Sequence, residues 1–193
     1  MNHFVVAIGR EFGAQGCDIA EKLAEKLGVK LYDRQLVEEA AKKLEMDEHT
    51  VQKADEVSAK DIEGLKTTYG VGNFYLSTQV LDAQADIIER VAQNESCIIM
   101  GRCADYILRS RPDVLRVFVY ADRDIRLRRA IDEYGDLEEH IDEFMHQTDK
   151  RRRIYYENYT NQRWGDRENY DLMLNSGDLG IEKCVELICQ AVK

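Results

Sequence analysis

Two glycines three residues apart, Gly13 and Gly16, sit in the stretch IGREFGAQGCDIA, between an apolar run and a helical pattern. A strand that turns through glycines into a helix offers backbone N–H groups and a helix N-terminus to an anion. The glycines let phosphate approach the backbone closely. A regular loop of this kind adds a lysine against the β- and γ-phosphates and a hydroxyl for Mg²⁺. Here the sequence is Gly16-Cys17-Asp18 instead. The plainer alternative is a strand-to-helix turn that uses glycine only for tightness. A second source of chemistry is arginine. Arg123, Arg126, Arg128 and Arg129 crowd one segment, and Lys150 to Arg153 form another. On a chain of net charge −10, such clusters point to a small anionic ligand held at one place. Taken singly, either cluster also reads as a solvated helix face.

These residues need elements to position them. HFVVAI (3–8) reads as a buried strand ending at Gly9. A helix follows from about Asp18, with Ile19, Leu23 and Leu27 on one face, and Gly28 stops it. VKLY (29–32) is a short strand, and residues 34–45 carry Leu36, Val37, Ala40, Ala41 and Leu44 at helical spacing. Residues 46–75 look helical but interrupted, with TTYGVGNFY (67–75) expected as a loop. Helix is predicted for 76–94 with Ser77 as its N-cap. The next segments read as a strand at SCIIMG (96–101), a short helix at 102–110, and a strand at VLRVFVYA (114–121). Asp122 is expected to cap the following helix, and 136–160 reads as mostly helical. DLMLNS (171–176) is the last strand and 180–193 the closing helix. Five short apolar strands alternating with helices predict an α/β fold with a mainly parallel sheet. Ligands of such sheets lie at the carboxyl ends of the strands, which gathers Gly9–Cys17, Gly101–Arg102 and Ala121–Arg123 on one edge.

The bulk numbers agree with one globular unit. At 193 residues and 44 % hydrophobic content the chain can bury a substantial core. A single proline, no low-complexity linker and no repeat predict one domain over 1–193. No apolar run is long enough to span a bilayer and no signal-peptide pattern opens the chain, so the expectation is a cytoplasmic protein with no membrane partner. Five cysteines without a CxxC pair read as reduced thiols, and four scattered histidines predict no structural metal. Cys17 is the thiol to watch, since an anion-binding turn lowers a thiol pKa. The negative charge weighs against nucleic acid as a partner, including single strands on RRRIYYENY (151–159). Tyr155, Tyr156, Tyr159 and Trp164 are expected to pack rather than stack on a base.

Several segments together resemble the cytidylate kinase-like family, a branch of the P-loop nucleoside-monophosphate kinases. They are GREFGAQGCDIAEKLAEKLG, the following YDRQL, IIMGRCADYIL, and DKRRRIYYENYT with its WGD, ENYDLMLNSGDLGIE sequel. The resemblance implies a P-loop NTPase-type three-layer sandwich with a five-stranded, mainly parallel sheet and a helical lid. It places a monophosphate-binding insert at about 35–90 and the lid at about 136–165. It also implies ATP, with Mg²⁺ held through the nucleotide. Gly13 and Gly16 match the phosphate-loop glycines and Arg10 and Glu11 an Arg-Glu pair. Arg10, Gly13, Ala14, Gln15, Gly16, Cys17 and Asp18 are thereby expected to bind the nucleotide. Asp33, Arg34, Arg102, Asp105 and Asp149 are expected at the acceptor, with Arg126, Arg129 and Arg152 neutralising the migrating phosphoryl.

The sequence departs from an authentic cytidylate kinase at three points, two of them in the loop. Gly16 falls where lysine belongs, Asp18 where the Mg²⁺-binding hydroxyl belongs, and Met100 where an acidic residue often precedes the Gly-Arg. Loss of that lysine removes a few kcal/mol of transition-state stabilisation unless another cation replaces it, with Arg10, Arg126, Arg129 and Arg152 as candidates. Two functions follow. One is transfer of the ATP γ-phosphate to CMP or a related phosphorylated acceptor. The other is a module that keeps the fold and binds a nucleotide or phospho-ligand without turnover.

Overall fold

In the computed structural model of the chain, residues 3–51, 71–135 and 138–192 are described. Five strands form one sheet: β1 (Val5–Arg10), β2 (Lys30–Tyr32), β3 (Cys97–Met100), β4 (Val114–Tyr120) and β5 (Leu172–Asn175). Their order is β2-β3-β1-β4-β5, and every pairing is parallel. Helices α1 (Gly16–Leu27), α2 (Arg34–Leu44), α3 (Val71–Asn94), α4 (Ala104–Ile107), α5 (Arg123–Tyr134), α6 (Glu138–Thr160) and α7 (Ser176–Ala191) connect the strands. A short 3₁₀ turn at Arg167–Asn169 precedes β5.

Alternation along β1 divides the core. Val5 and Ala7 pack with Cys97 and Ile99 on one face, against Leu36 and Ala40 of α2 and Ile87 and Ile88 of α3. Val6 and Ile8 pack with Ile98, Met100, Val117 and Val119 on the other, against Ile19 and Leu23 of α1 and Val185 and Ile188 of α7. Buried on both faces, these strands read as continuous apolar runs, as parallel strands must when helices cover each side. The result is three layers, helices on both faces of one sheet.

β1 is central, with β3 on one side and β4 on the other. Its carboxyl end is therefore the topological switch point, where a crevice opens between diverging connections. The loops after β1, β3 and β4 meet there, as the alternating pattern predicted.

Three local expectations are corrected. α3 begins at Val71, so residues 71–75, expected as a loop, are helical, and Ser77 lies inside the helix rather than capping it. One internal glycine costs a helix only about 1 kcal/mol, which 24 residues absorb. Asp122 occupies the N-cap position of α5, but its side chain makes no capping bond. Its carbonyl instead accepts from the N–H groups of Ile125 and Arg126. α1 starts at Gly16, two residues earlier than expected, because Gln15 takes a left-handed conformation (φ 57°) and turns the chain directly into the helix. The expected loop at 67–70 lies outside the described residues, as do parts of the expected insert and lid.

Candidate active site

The loop between β1 and α1 is built for close backbone approach. Gly13 has φ +71°, and a Cβ there would come within 2.8 Å of the Arg126 carbonyl oxygen. No side chain fits there, so glycine is what lets the loop pass this close to α5. Gly16 is constrained differently. A Cβ on Gly16 would lie 2.6 Å from Cβ and 2.9 Å from Cγ of Arg10. The stem of Arg10 thus fills the space that a side chain at position 16 would need. The same arginine runs on until its Nη1 comes within 2.6 Å of where a Cβ on Gly101 would be. Arg10 therefore bridges from the end of β1, across the start of α1, to the turn after β3. Its Nε is buried without a hydrogen-bond partner.

The turn after β3 is itself unusual. Gly101, Arg102 and Cys103 all have positive φ, 67°, 54° and 54°. Left-handed backbone at a residue with a side chain costs of order 1–3 kcal/mol and is held only where the surroundings fix it. Here Gly101 N–H bonds the Ile8 carbonyl at 2.9 Å and Cys103 is buried. The turn brings Arg102 to the cleft at the end of the sheet.

That cleft, about 470 Å³, is lined by Arg10, Arg34, Arg102, Arg151 and Arg152, with Asp33 and Asp105 among its acids. Arg152 donates to the Arg10 carbonyl at 3.2 Å and lies 3.7 Å from Asp149. Burial, and then the Arg10 guanidinium beside it, pull its pKa down to about 9. The positive charges of Arg10 and Arg152 thus bear on each other, with Asp149, 3.7 Å from Arg152, opposing them. Asp105 is 6 % exposed, accepts the Tyr156 hydroxyl at 2.6 Å, and is pushed above the usual carboxylate range by burial. Tyr156 is buried, and Trp164 meets Phe118 edge-on at 5.4 Å, so both pack as expected while bordering the cleft.

Arg126 and Arg129, expected on the migrating phosphoryl, are placed elsewhere. Arg126 donates to the carbonyls of Ala121 and Phe12 (both 3.1 Å), and pairs with Asp149 at 2.5 Å and Glu11 at 3.3 Å. Arg129 donates to the Ser176 hydroxyl at 3.0 Å and carbonyl at 2.9 Å, and Ser176 in turn donates to the Ala14 carbonyl at 2.7 Å. Each arginine is spent on fixing the loop, and neither lines the cleft. Asp149, expected at the acceptor, points the same way. It accepts the Phe12 N–H at 2.8 Å and, with Arg126, straps α6 to the loop. Cys17 and Asp18 are exposed in the first turn of α1. Ala14 is buried. Asp33, at the N-cap position of α2, makes no cap bond through its side chain, and Arg34 reaches Glu38 at 3.7 Å.

Arg151 lines the cleft without being among the site residues expected from the sequence. Its signal was available in spacing, because Thr148, Arg151, Arg152 and Tyr155 recur at helical intervals and all line the cleft from one face of α6.

Comparisons with known proteins agree with this architecture. A solved structure of an uncharacterized protein from Eubacterium ventriosum is similar at 26 % identity, 98 % coverage of both chains and a TM-score of 0.74. A shikimate kinase from Bacteroides thetaiotaomicron is 15 % identical over 97 % of both chains, TM-score 0.54. A deoxyadenosine kinase from M. mycoides with bound dATP is 14 % identical over 97 % of this chain and 98 % of its own, TM-score 0.52. At such identity the two kinases show the P-loop kinase fold alone. No curated protein matches the sequence, and no described helix is long and apolar enough to cross a membrane. The cytidylate kinase-like family matches residues 5–178. With a phosphate-type loop, an arginine-lined cleft at the switch point, and this match over most of its length, the chain belongs to the cytidylate kinase-like family.

Proposed function

We propose that the chain is an ATP- and Mg²⁺-dependent kinase that transfers the γ-phosphate of ATP to CMP or a related phosphorylated acceptor. The observation that carries this reading is the meeting of Arg10 and Arg152 at the cleft, where Arg152 donates to the Arg10 carbonyl and the positive charge of each bears on the other. An anion between them removes the repulsion, and the migrating phosphoryl is such an anion. Arg10 answers the missing lysine. Its stem occupies the space above Gly16 and its guanidinium reaches the turn at Gly101, which supports a role for it in place of the lysine.

The residues present fit a polyphosphate. Gly13 keeps the loop free of a side chain where it passes Arg126, and the buried Arg10 Nε has a bond still to make. Asp18, exposed at the start of α1, offers a carboxylate oxygen suited to a hard cation. Bound through the nucleotide, Mg²⁺ supplies charge neutralisation at the phosphates. Arg102 and Arg152 orient the acceptor's phosphate against the donor. Arg126, Arg129 and Asp149 hold the loop in shape, and α6 serves as the lid. A phosphate acceptor is already ionised and needs no side-chain base.

Thermal stability tests the binding half of the reading. ATP with Mg²⁺, and CMP, should each raise Tm, since a ligand at a hundred times its Kd stabilises by about 2.7 kcal/mol. No shift with any nucleotide overturns it.

A further inference from the structure

Three large apolar side chains are markedly exposed among the described residues, and two of them meet at one place. Tyr134 ends α5 and is 54 % exposed, while Phe144 lies on α6 and is 48 % exposed. Both rest on Phe12. The Tyr134 ring stacks on it at 6.1 Å and 24°, and Phe144 meets it edge-on at 5.3 Å and 83°. Phe12 also packs against Leu127, Ala130, Ile141 and Met145, a small core between α5 and α6. Its backbone is fixed by Asp149 and Arg126. The three rings therefore form a supported shelf.

The shelf adjoins the phosphate cradle. Phe12 directly precedes Gly13, and Tyr134 lies within electrostatic reach of Cys17, the second residue of α1, and of Arg152. Burial, and then the Glu133 carboxylate beside it, raise the pKa of the Tyr134 hydroxyl and keep it protonated. What remains open is ring face. A loop that holds a nucleotide's phosphates must leave its base nearby, and an uncharged aromatic surface built partly by the loop's own residue matches a planar ring.

We infer that the Phe12–Tyr134–Phe144 shelf receives the base of the donor nucleotide, with Tyr134 and Phe144 as its stacking surface. This rests on the kinase reading above. Recognition by ring face is tolerant, because every base has one. Adenine and guanine donors should therefore bind alike, within about threefold, far below the discrimination of a site that hydrogen-bonds a base edge.

Calorimetric titration of the full chain with the Mg²⁺ complexes of ATP, GTP and tripolyphosphate tests this. Tyr134→Ala, Phe144→Ala and Tyr134→Phe are compared with the unaltered protein. Tyr134→Ala should weaken ATP and GTP about tenfold and leave tripolyphosphate unchanged. Phe144→Ala should act in the same direction, and Tyr134→Phe should bind as the parent does. Unchanged ATP affinity in Tyr134→Ala overturns the shelf and leaves the kinase reading standing. Equal loss of tripolyphosphate overturns it too, since the damage would then lie in the loop. Sedimentation showing self-association that Tyr134→Ala abolishes, with ATP binding intact, would assign the rings to a contact between copies instead. If the unaltered chain binds neither nucleotide, the kinase reading fails and the shelf fails with it.

Discussion

Arg10→Ala is expected to lower kcat/KM for phosphoryl transfer by about two to three orders of magnitude, the loss typical of one preorganised charge-stabilising contact. The fold should survive, because removing one guanidinium relieves the repulsion that Arg152 now bears. Tm should accordingly move by no more than a few degrees. Arg10→Lys should fall between, since it keeps the charge and loses the planar fork. The geometry also defines a swap. Lysine at position 16 alone collides with the Arg10 stem, whose Cβ would lie 2.6 Å from the new Cβ. Gly16→Lys should therefore destabilise the protein without rescuing anything. Because the collision begins at Cβ, alanine at position 10 does not clear it, but glycine does. Arg10→Gly with Gly16→Lys should recover at least about tenfold of the activity lost in Arg10→Gly alone, as the lysine regains its usual station. Steady-state kinetics on these variants decide the matter. Full activity in Arg10→Ala would remove Arg10 from the chemistry.

The second large effect is on stability. Asp149 and Arg126 form a pair whose side chains are each 12 % exposed, and Asp149 also holds the Phe12 N–H. Breaking a buried pair from one side costs about 3–5 kcal/mol, and here it leaves Arg126 with only Glu11 at 3.3 Å to balance its charge. Asp149→Ala should therefore lower Tm by roughly 6–20 °C in a chain of this size. Asp149→Asn, which can still accept the Phe12 N–H through its amide oxygen, should lose less. Chemical denaturation of the three proteins measures the difference. A loss under about 1 kcal/mol would mean that α6 is not strapped to the loop through this pair.

The sheet was legible because its strands are short, apolar and separated by helical patterns, and the rule that parallel sheets bind at their carboxyl ends placed the cleft. The loop was legible as far as Gly13, whose positive φ and crowding by Arg126 are the kind of constraint that leaves glycine behind. The meaning of Gly16 was not. In sequence it reads as a lost lysine. In space its hydrogen makes room for Arg10, six residues earlier, and no pattern along the chain reports which side chain fills a gap. Asp149 shows the same limit. The resemblance implies a place for it at the acceptor, but its partners, Arg126 and the backbone of Phe12, are brought to it only by the packing of α5 and α6. Ser77 failed for a local reason, since the stretch before it reads as a loop, whereas Gly72 is carried inside a long helix that begins at Val71.

The most direct test of the kinase reading is ADP release from ATP and Mg²⁺ with and without CMP, with the acceptor product identified by mass. Release that requires the acceptor and yields a nucleoside diphosphate is the predicted result. Stabilisation by both ligands with no acceptor-dependent release would contradict it, leaving a kinase fold that binds nucleotide and does not turn it over.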